Sequence, residues 1–238
     1  MNNDLRTLYA AHWPHLCAHL EPIHHDHSRP VKPTCPLLLT LNDGAGWETA
    51  DLRLIVYGQE TNGWHEPYHS NLPTIQGYYD DFFHRGKCWS YGGQFWNGVA
   101  RFRDLLQHQY PEKKISVLWN NLIKIGKEQD KGSPPSYIYE LEQQHFSVLA
   151  AELEILRPTV ALFLTGPNYD GIIARAFANP TYGPVASTHS ERQLAQVSLP
   201  GIPLAFRTYH PNYLWRKGIN GYFQPILDAL DHALGEKG

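Results

Sequence analysis

The fold class of this chain is decided by the stretch TVALFLT at residues 159–165, which Gly166-Pro167 closes. Short runs rich in β-branched and aromatic residues, bounded by Gly, Pro or Asn, are typical of buried strands. Three more such runs occur: LRLIVY at residues 52–57, ISVLW at residues 115–119 and PLAFRT at residues 203–208. We therefore predict four buried strands.

Helix-like patterns separate these strands. Apolar residues recur at spacings of three and four over residues 95–106, 138–156 and 223–234, and a shorter helix is expected over residues 168–177. The middle pattern predicts one continuous helix that starts near Ser133 and Pro134, and Pro225 is expected in the first turn of the last helix. Strands that alternate with helices predict an α/β fold with a mostly parallel sheet covered on both faces.

The composition excludes several classes of protein. Of the 238 residues, 42% are apolar and 18% are charged, so a disordered chain is not expected. Three distant cysteines exclude a disulfide framework and a four-thiolate iron–sulfur cluster held by this chain alone. The net charge of −3 argues against a generic nucleic-acid coat protein. No apolar run is long enough to span a bilayer and no secretory signal is evident, so we expect a cytoplasmic protein, and a monomer.

The length favours one large domain over residues 1–238. Within it, residues 1–50 are expected to form a helical or irregular N-terminal extension, and residues 51–238 the core. Four leucines between residues 5 and 20 suggest a helix that Pro14 interrupts.

Three further segments lack a clear assignment to the core. The run PLLLTL at residues 36–41 is a candidate for an extra strand. Residues 64–93 and 126–135 lack strong periodicity, and insertions of this length are usually lids or binding loops.

His15 and His19 have the spacing of metal ligands on a helix, but Pro14 and the absence of a clear carboxylate pattern favour ordinary surface histidines. We therefore expect no metal site.

Polar residues follow each predicted strand at its carboxyl end. They are Gln59 and Glu60 after the first strand, Asn120 and Asn121 after the second, Asn168 after the third and His210 after the fourth. Ligands of parallel sheets bind beyond the carboxyl ends of the strands, so these side chains are expected to converge on one rim. Each also has a structural alternative: the acid at a helix N-terminus, the amides as caps or turn residues, and the imidazole in a turn.

Three short motifs lie at these strand ends: GQE at residues 58–60, VLWN at residues 117–120 and HPN at residues 210–212. In their order and approximate separation they resemble the uracil-DNA glycosylase superfamily, and the likeness covers residue 52 to the C-terminus. The resemblance implies a three-layer α/β/α sandwich with a central four-stranded parallel sheet. It also implies hydrolysis of the N-glycosidic bond of uracil or another damaged base in DNA, without a metal or cofactor.

The resemblance also implies a role for each candidate residue. Glu60 takes the acidic catalytic position, where a carboxylate stabilises the sugar cation and orients water, and His210 stabilises the developing charge on the base. Asn120 reads the edge of the base, because an amide offers both donors and an acceptor. The remaining substrate-binding candidates are Gln59, Asn62, Tyr213 and Trp89; the last is a candidate for the ring that stacks on the base, together with Phe82, Phe83 and Tyr91.

Contact with DNA is expected from residues beside the second and third motifs. Tyr213, Leu214 and Trp215 follow His210 where the resemblance implies a loop that probes the duplex. The candidate phosphate contacts are Lys124, Lys127, Lys131, Arg216 and Lys217. A solvated charged face is the structural alternative for these cations.

The first motif departs from the best-known branch of the superfamily. Glu60 stands where that branch has Asp, and Thr61-Asn62 replaces Pro-Tyr, which removes the tyrosine that blocks the methyl group of thymine. Selectivity for uracil is therefore open. The altered motif and the acidic net charge leave a second hypothesis: a non-catalytic module that binds a base, a nucleotide or a protein.

Overall fold

One mixed sheet organises the computed structural model, which describes residues 1–42, 46–65 and 67–235. Its six strands, within those residues, are β1 (Leu52–Glu60), β2 (Ile115–Ile123), β3 (Val160–Leu164), β4 (Thr181–Pro184), β5 (Leu194–Ser198) and β6 (Leu204–Thr208). The order across the sheet is β2-β1-β3-β6-β5-β4. β3 runs parallel to β1 and to β6, with Ala161 opposite Ile55 on one side and Ala205 on the other. β5 is antiparallel to both β6 and β4.

The four predicted strands are confirmed as β1, β2, β3 and β6, and they form the mostly parallel core of an α/β fold. The sheet is larger than the expected central four-stranded parallel sheet, because β4 and β5 extend it with antiparallel pairs. Every residue of β3 is buried, whereas no residue of β4 is. An edge strand that is not buried on both faces leaves no continuous apolar run, so β4 could not be recognised by that criterion.

The chain divides into two compact units. The first unit comprises Met1–Gly44, Gln59–Gly86 and Asn120–Leu156, and the second comprises Ala45–Gly58, Lys87–Trp119 and Arg157–Gly238. The residues expected to form an N-terminal extension therefore pack mainly within the first unit. The single domain over residues 1–238 stays a prediction.

The second unit contains most of the sheet and five α-helices within the described residues. They are α3 (Lys87–Tyr91), α4 (Gly93–Gln109), α7 (Asp170–Ala176), α8 (Pro211–Lys217) and α9 (Ile219–Gly235), with a 3₁₀ turn at Pro167–Tyr169 before α7. Its core joins apolar side chains of β1, β3 and β6 to those of α4 and α9. Phe102 of α4 and Phe223 of α9 meet there with ring centroids 5.1 Å apart. The predicted helices at residues 95–106, 168–177 and 223–234 are confirmed.

Pro225 was expected in the first turn of the last helix, and this is wrong, because α9 begins at Ile219 and contains Pro225 in its interior. A proline in a helix leaves the carbonyl four residues earlier without its usual donor. Here that residue is Gly221, which is exposed, so water can solvate its carbonyl. Burial of Tyr222 and Phe223 gives the earlier turn a packed face.

The first unit is mainly helical. Its α-helices in the described residues are α1 (Asn2–His25), α2 (Leu72–Tyr79), α5 (Ser136–His145) and α6 (Leu149–Leu156), and a π-helix at Asp80–His84 follows α2. α1 packs against α5 and α6. It continues through Pro14, contrary to the expected interruption, because its buried face carries Leu5, Tyr9, Leu16 and Leu20 on both sides of that residue.

Two further expectations for this unit are wrong. The predicted helix at residues 138–156 is two helices, because Phe146 leaves the helical conformation at φ −141° and ψ 41° and is itself buried against Tyr9. The run at residues 36–41 is buried but is not a strand. The Leu37 amide donates to the Lys124 carbonyl at 2.9 Å, whereas the Leu39 amide donates to the Tyr9 hydroxyl at 3.0 Å. Because these successive amides do not bond the backbone of one neighbouring strand, no β-ladder forms.

The first insertion is more regular than its lack of periodicity suggested. Residues 64–93 contain α2, the π-helix and α3, and α4 begins at their end. The Asn71 side chain accepts from the Thr74 amide at 3.1 Å and caps α2, which a periodicity search over so short a helix does not detect. No α-helix or β-strand is assigned within residues 126–135.

Candidate functional site

The predicted site residues divide between the two units. Gln59, Glu60, Asn62 and Asn120 belong to the first unit. Trp89, His210 and Tyr213 belong to the second unit. The convergence of an acid, an amide and an imidazole on one site stays a prediction, and each group is described within its own unit.

His210 lies between β6 and α8, and its ring accepts a hydrogen bond from the backbone of α8. Its Nδ1 atom accepts a hydrogen bond from the Asn212 amide at 3.1 Å, which caps the start of α8. Burial lowers the pKa of the imidazole. A neutral imidazole that accepts at Nδ1 carries its proton on Nε2. His210 therefore presents an uncharged N–H donor at neutral pH.

Tyr213 and Trp89 are both partly buried in aromatic surroundings. The ring centroids of Tyr213 and Tyr209 lie 4.4 Å apart. The Arg103 guanidinium lies 4.7 Å from the centre of the Trp89 ring, so a cation–π contact occupies one face of this indole. Trp96 meets the same indole edge-on at 5.8 Å.

The residues after His210 form a helix, so their side chains point in different directions. Leu214 is fully buried in the core of the second unit, and its expected role as a probe of the duplex is wrong. Trp215 is 39% exposed, and Arg216 and Lys217 beside it are exposed as well. The surface of α8 therefore combines an accessible indole with two cations.

In the first unit, Glu60 is the last residue of β1 and is partly buried, whereas Asn62 is exposed. The turn between them is held at Thr61, which is 2% exposed. A Cβ atom on Gly126 would lie 2.4 Å from the Thr61 carbonyl oxygen, so only glycine allows this approach of the two chain segments. The packing of Thr61 on Gly126 positions the backbone that carries Glu60.

Asn120 is fully buried, and its amide is engaged by neighbouring side chains and backbone. Its Nδ2 atom donates to Glu152 Oε2 at 2.8 Å, and its Oδ1 atom accepts from Lys124 Nζ and the Asn121 amide, each at 2.9 Å. Recognition of a base by Asn120 stays a prediction. Asn121 is 2% exposed and points to the opposite face of β2, since side chains alternate along a strand.

Tyr9, Asn120, Lys124 and Glu152 form a buried polar network. Lys124 Nζ donates to Glu152 Oε1 at 2.6 Å, and both side chains are fully buried. The Tyr9 hydroxyl donates to the same carboxylate oxygen at 2.5 Å. Burial lowers the pKa of Lys124, although the charge of Glu152 opposes this shift, and burial raises the pKa of Tyr9. The expected contact between Lys124 and phosphate is wrong, because its ammonium group is enclosed.

Two signals in the sequence mark this network. Lys124 sits among Leu122, Ile123 and Ile125, a run too apolar for a solvated face. Glu152 follows Leu149 by three residues and precedes Leu156 by four, which places it on the apolar side of α6. Charged residues in such positions are almost never fully buried unless they are paired.

Glu142 of α5 is a second buried acid in this unit. Its carboxylate accepts from the Lys124 amide at 3.0 and 3.1 Å and from the Ile125 amide at 2.8 Å, at the end of β2. Burial raises its pKa to about 7, against the opposing effects of these amides and the Lys124 charge. The usual value for this group is 4.5.

Glu142 is expected to make the stability of the protein decrease as the pH rises from about 5 to about 7. The folded state binds a proton in this window and the unfolded state does not, because the pKa is about 7 in the folded state against 4.5. Urea unfolding at several pH values should detect the slope, and Glu142→Gln should reduce it. An unchanged slope in the variant would contradict the assignment; Glu140→Gln, on the same helix, is the control.

An open groove of about 720 Å³ lies elsewhere in the second unit, along α9. Its lining includes Gln196, Leu204, Pro225, Asp228 and Ala229. None of the predicted site residues lines this groove.

Comparisons with known proteins identify no family for this chain, so a function has to be argued from the fold and from these contacts. No protein-family model matches the chain, and no curated protein matches it at a significant level. Across residues 1–42, 46–65 and 67–235, no group of three or more His, Cys, Asp or Glu side chains could hold a metal ion. None of the helices in these ranges combines the length and the apolar character needed to cross a membrane.

Proposed function

We propose that this chain hydrolyses the N-glycosidic bond of uracil or another damaged base in DNA, as a member of the uracil-DNA glycosylase superfamily. The observation that carries the proposal is the hydrogen bond from the Asn212 amide to His210 Nδ1, which leaves Nε2 as the donor of a neutral ring; burial, which lowers the pKa of the imidazole, favours that neutral ring. Bond cleavage leaves negative charge on the departing base, and an uncharged N–H donor aimed at this charge stabilises the transition state. The mostly parallel core of the sheet supports the three-layer α/β/α sandwich that the superfamily resemblance implies.

Glu60 supplies the acid in this proposal. Its partly buried carboxylate stabilises the cationic sugar and orients the attacking water, and Gln59 and Asn62 bind the substrate beside it. The longer side chain of Glu, compared with Asp, moves the carboxylate, and a displacement of about 1 Å can cost on the order of a hundredfold in rate. We therefore expect a slower enzyme than one with Asp at this position.

Recognition of the base is assigned to an amide of β2 and to aromatic residues of the second unit. Asn120 is the proposed reader of the base, and its amide bonds Glu152 and Lys124 in the structure. Trp89 is proposed to stack on the base. Tyr213 is a further proposed substrate contact.

DNA is the proposed partner, and α8 is the proposed contact surface. The exposed indole of Trp215 can stack on a base, and Arg216 and Lys217 can bind phosphates. This local positive charge allows DNA binding despite the net charge of −3. A cytoplasmic monomer remains the expected form.

A glycosylase assay on uracil-, hypoxanthine- and mismatch-containing oligonucleotides tests the proposal. Base release is expected on at least one substrate, and Glu60→Gln is expected to lower kcat by about a hundredfold while DNA affinity is retained, because charge stabilisation in the transition state is lost. Glu154→Gln, which alters an exposed carboxylate, is the control. Purified folded protein that releases no base from any of these oligonucleotides would overturn the proposal.

The second candidate is a non-catalytic module that binds a base, a nucleotide or a protein. The altered first motif, with Glu60 followed by Thr61-Asn62, and the net charge of −3 favour it. Calorimetric titration with uracil distinguishes the two functions. Binding without any turnover by the wild-type protein would establish the module, and Glu60→Gln would then change no rate.

A further inference from the structure

We propose that α4 is the positioning element of His210, with Phe95 and Gly98 as its positioning residues. No motif of the sequence lies on α4, and the proposed function assigns it no role. The expected effect on catalysis rests on the proposed function. The contacts between α4 and His210 do not depend on the reaction.

The first contact is between two rings. The Phe95 ring stacks on the His210 imidazole, with centroids 5.7 Å apart and planes 24° from parallel. The hydrogen bond from the Asn212 amide holds the imidazole at Nδ1, within the plane of the ring. A contact on the face and a hydrogen bond at the edge together restrict rotation of the imidazole. The Nε2 proton therefore has a defined direction.

The second contact is a close approach at Gly98. A Cβ atom on Gly98 would lie 2.6 Å from Pro211 Cβ and 2.7 Å from Pro211 Cγ, both shorter than any normal contact. Glycine at this position lets Pro211, which is buried and follows His210 directly, lie against the backbone of α4. A larger residue would displace the start of α8 and, with it, the imidazole.

A third contact joins α4 to the far end of the same short helix. The Trp215 indole donates to the Gln94 carbonyl at 3.3 Å. α4 is itself anchored in the core of the second unit through Val99, Phe102 and Leu106. Both ends of α8 therefore contact one helix that is anchored in the core, and the orientation of His210 depends on α4 as well as on the local hydrogen bond from Asn212.

Four variants and one spectroscopic readout test the role of Phe95. NMR titration of the His210 ring, assigned by its absence in His210→Gln, reports the tautomer and the pKa. Phe95→Ala is expected to move that pKa towards the ordinary value of 6.5, because the ring that shields the imidazole is lost, and to lower kcat by about tenfold to a hundredfold with little change in KM. Phe95→Tyr, which keeps the ring, should restore both. Phe102→Leu is the control for a loss of packing on the same helix.

The outcomes separate this inference from the proposed function. An unchanged tautomer and pKa in Phe95→Ala would overturn the positioning role, and so would an equal change in Phe102→Leu. The NMR readout needs no turnover, so a wild-type protein without glycosylase activity would refute the proposed function and still leave the positioning role to be decided.

Gly98 is tested separately. Gly98→Ala is expected to shift the His210 resonances and to reduce the population of the Nε2–H tautomer, because Pro211 must move. Gly221→Ala is the matched control, since it also places a Cβ on a helix of the second unit but meets nothing within 4 Å. If Gly98→Ala does not fold in dilute buffer, the measurement is repeated on the same variant in the presence of sulfate, which strengthens the burial of apolar surface. Equal spectra in a folded Gly98 variant and the wild-type protein would exclude the close approach as a positioning contact.

Discussion

Replacing Lys124 with methionine is expected to lower the free energy of unfolding by about 3–5 kcal/mol. Lys124 and Glu152 are fully buried and 2.6 Å apart, so removal of the ammonium group leaves an uncompensated charge away from water. Methionine keeps most of the volume of the side chain, which limits the effect of a cavity. Urea unfolding, followed by circular dichroism, measures the change.

A double variant shows whether the buried charge is the cause. Lys124→Met combined with Glu152→Gln is expected to recover part of the loss, because a neutral amide can still accept from the Tyr9 hydroxyl. Lys127→Met is the matched control: Lys127 pairs with the exposed Asp130, and an ion pair of this kind contributes about 0–1 kcal/mol. A similar, small effect of Lys124→Met and Lys127→Met would show that the buried network is not important for stability.

Replacing His210 with alanine is expected to lower kcat for base release by about a hundredfold to a thousandfold, the effect of losing one donor to a developing negative charge. Substrate binding should change less, since the charge on the base develops only in the transition state. Single-turnover kinetics measure the rate constant of base release. The substrate is the oligonucleotide from which the wild-type protein releases its base fastest. His108→Ala, an exposed histidine on α4, is the control.

The pH profile gives an independent check on His210. Burial lowers its pKa, so the neutral ring predominates at and above pH 6.5, and kcat should decrease only as the pH falls through the lowered value. In the neutral ring, Nδ1 accepts a hydrogen bond from the Asn212 amide. Protonation of Nδ1 removes this acceptor and places two N–H groups opposite each other. The acid limb should disappear in His210→Ala. An acid limb that persists there would assign the titration to a different group.

The strands of the parallel core were predictable because burial on both faces requires a continuous apolar run. β1, β3 and β6 satisfy this requirement, whereas β4 has no buried residue and contains Gly183 and Pro184. Helix periodicity was equally informative where one face packs on the core, as in α4. It failed at Phe146, since a buried residue that leaves the helical conformation still satisfies the apolar spacing.

The apolar pattern of the chain by itself determined the α/β class, the four core strands and the strand ends that carry Glu60 and His210. Only the tertiary structure decided what the polar side chains do. It paired Lys124 with Glu152, tied the Asn120 amide into the same network, and stacked Phe95 on His210. The physical reason is the distance along the chain: hydrophobic burial follows from local periodicity, whereas the partners of a buried charge or ring come from remote segments, and their meeting depends on how those segments pack.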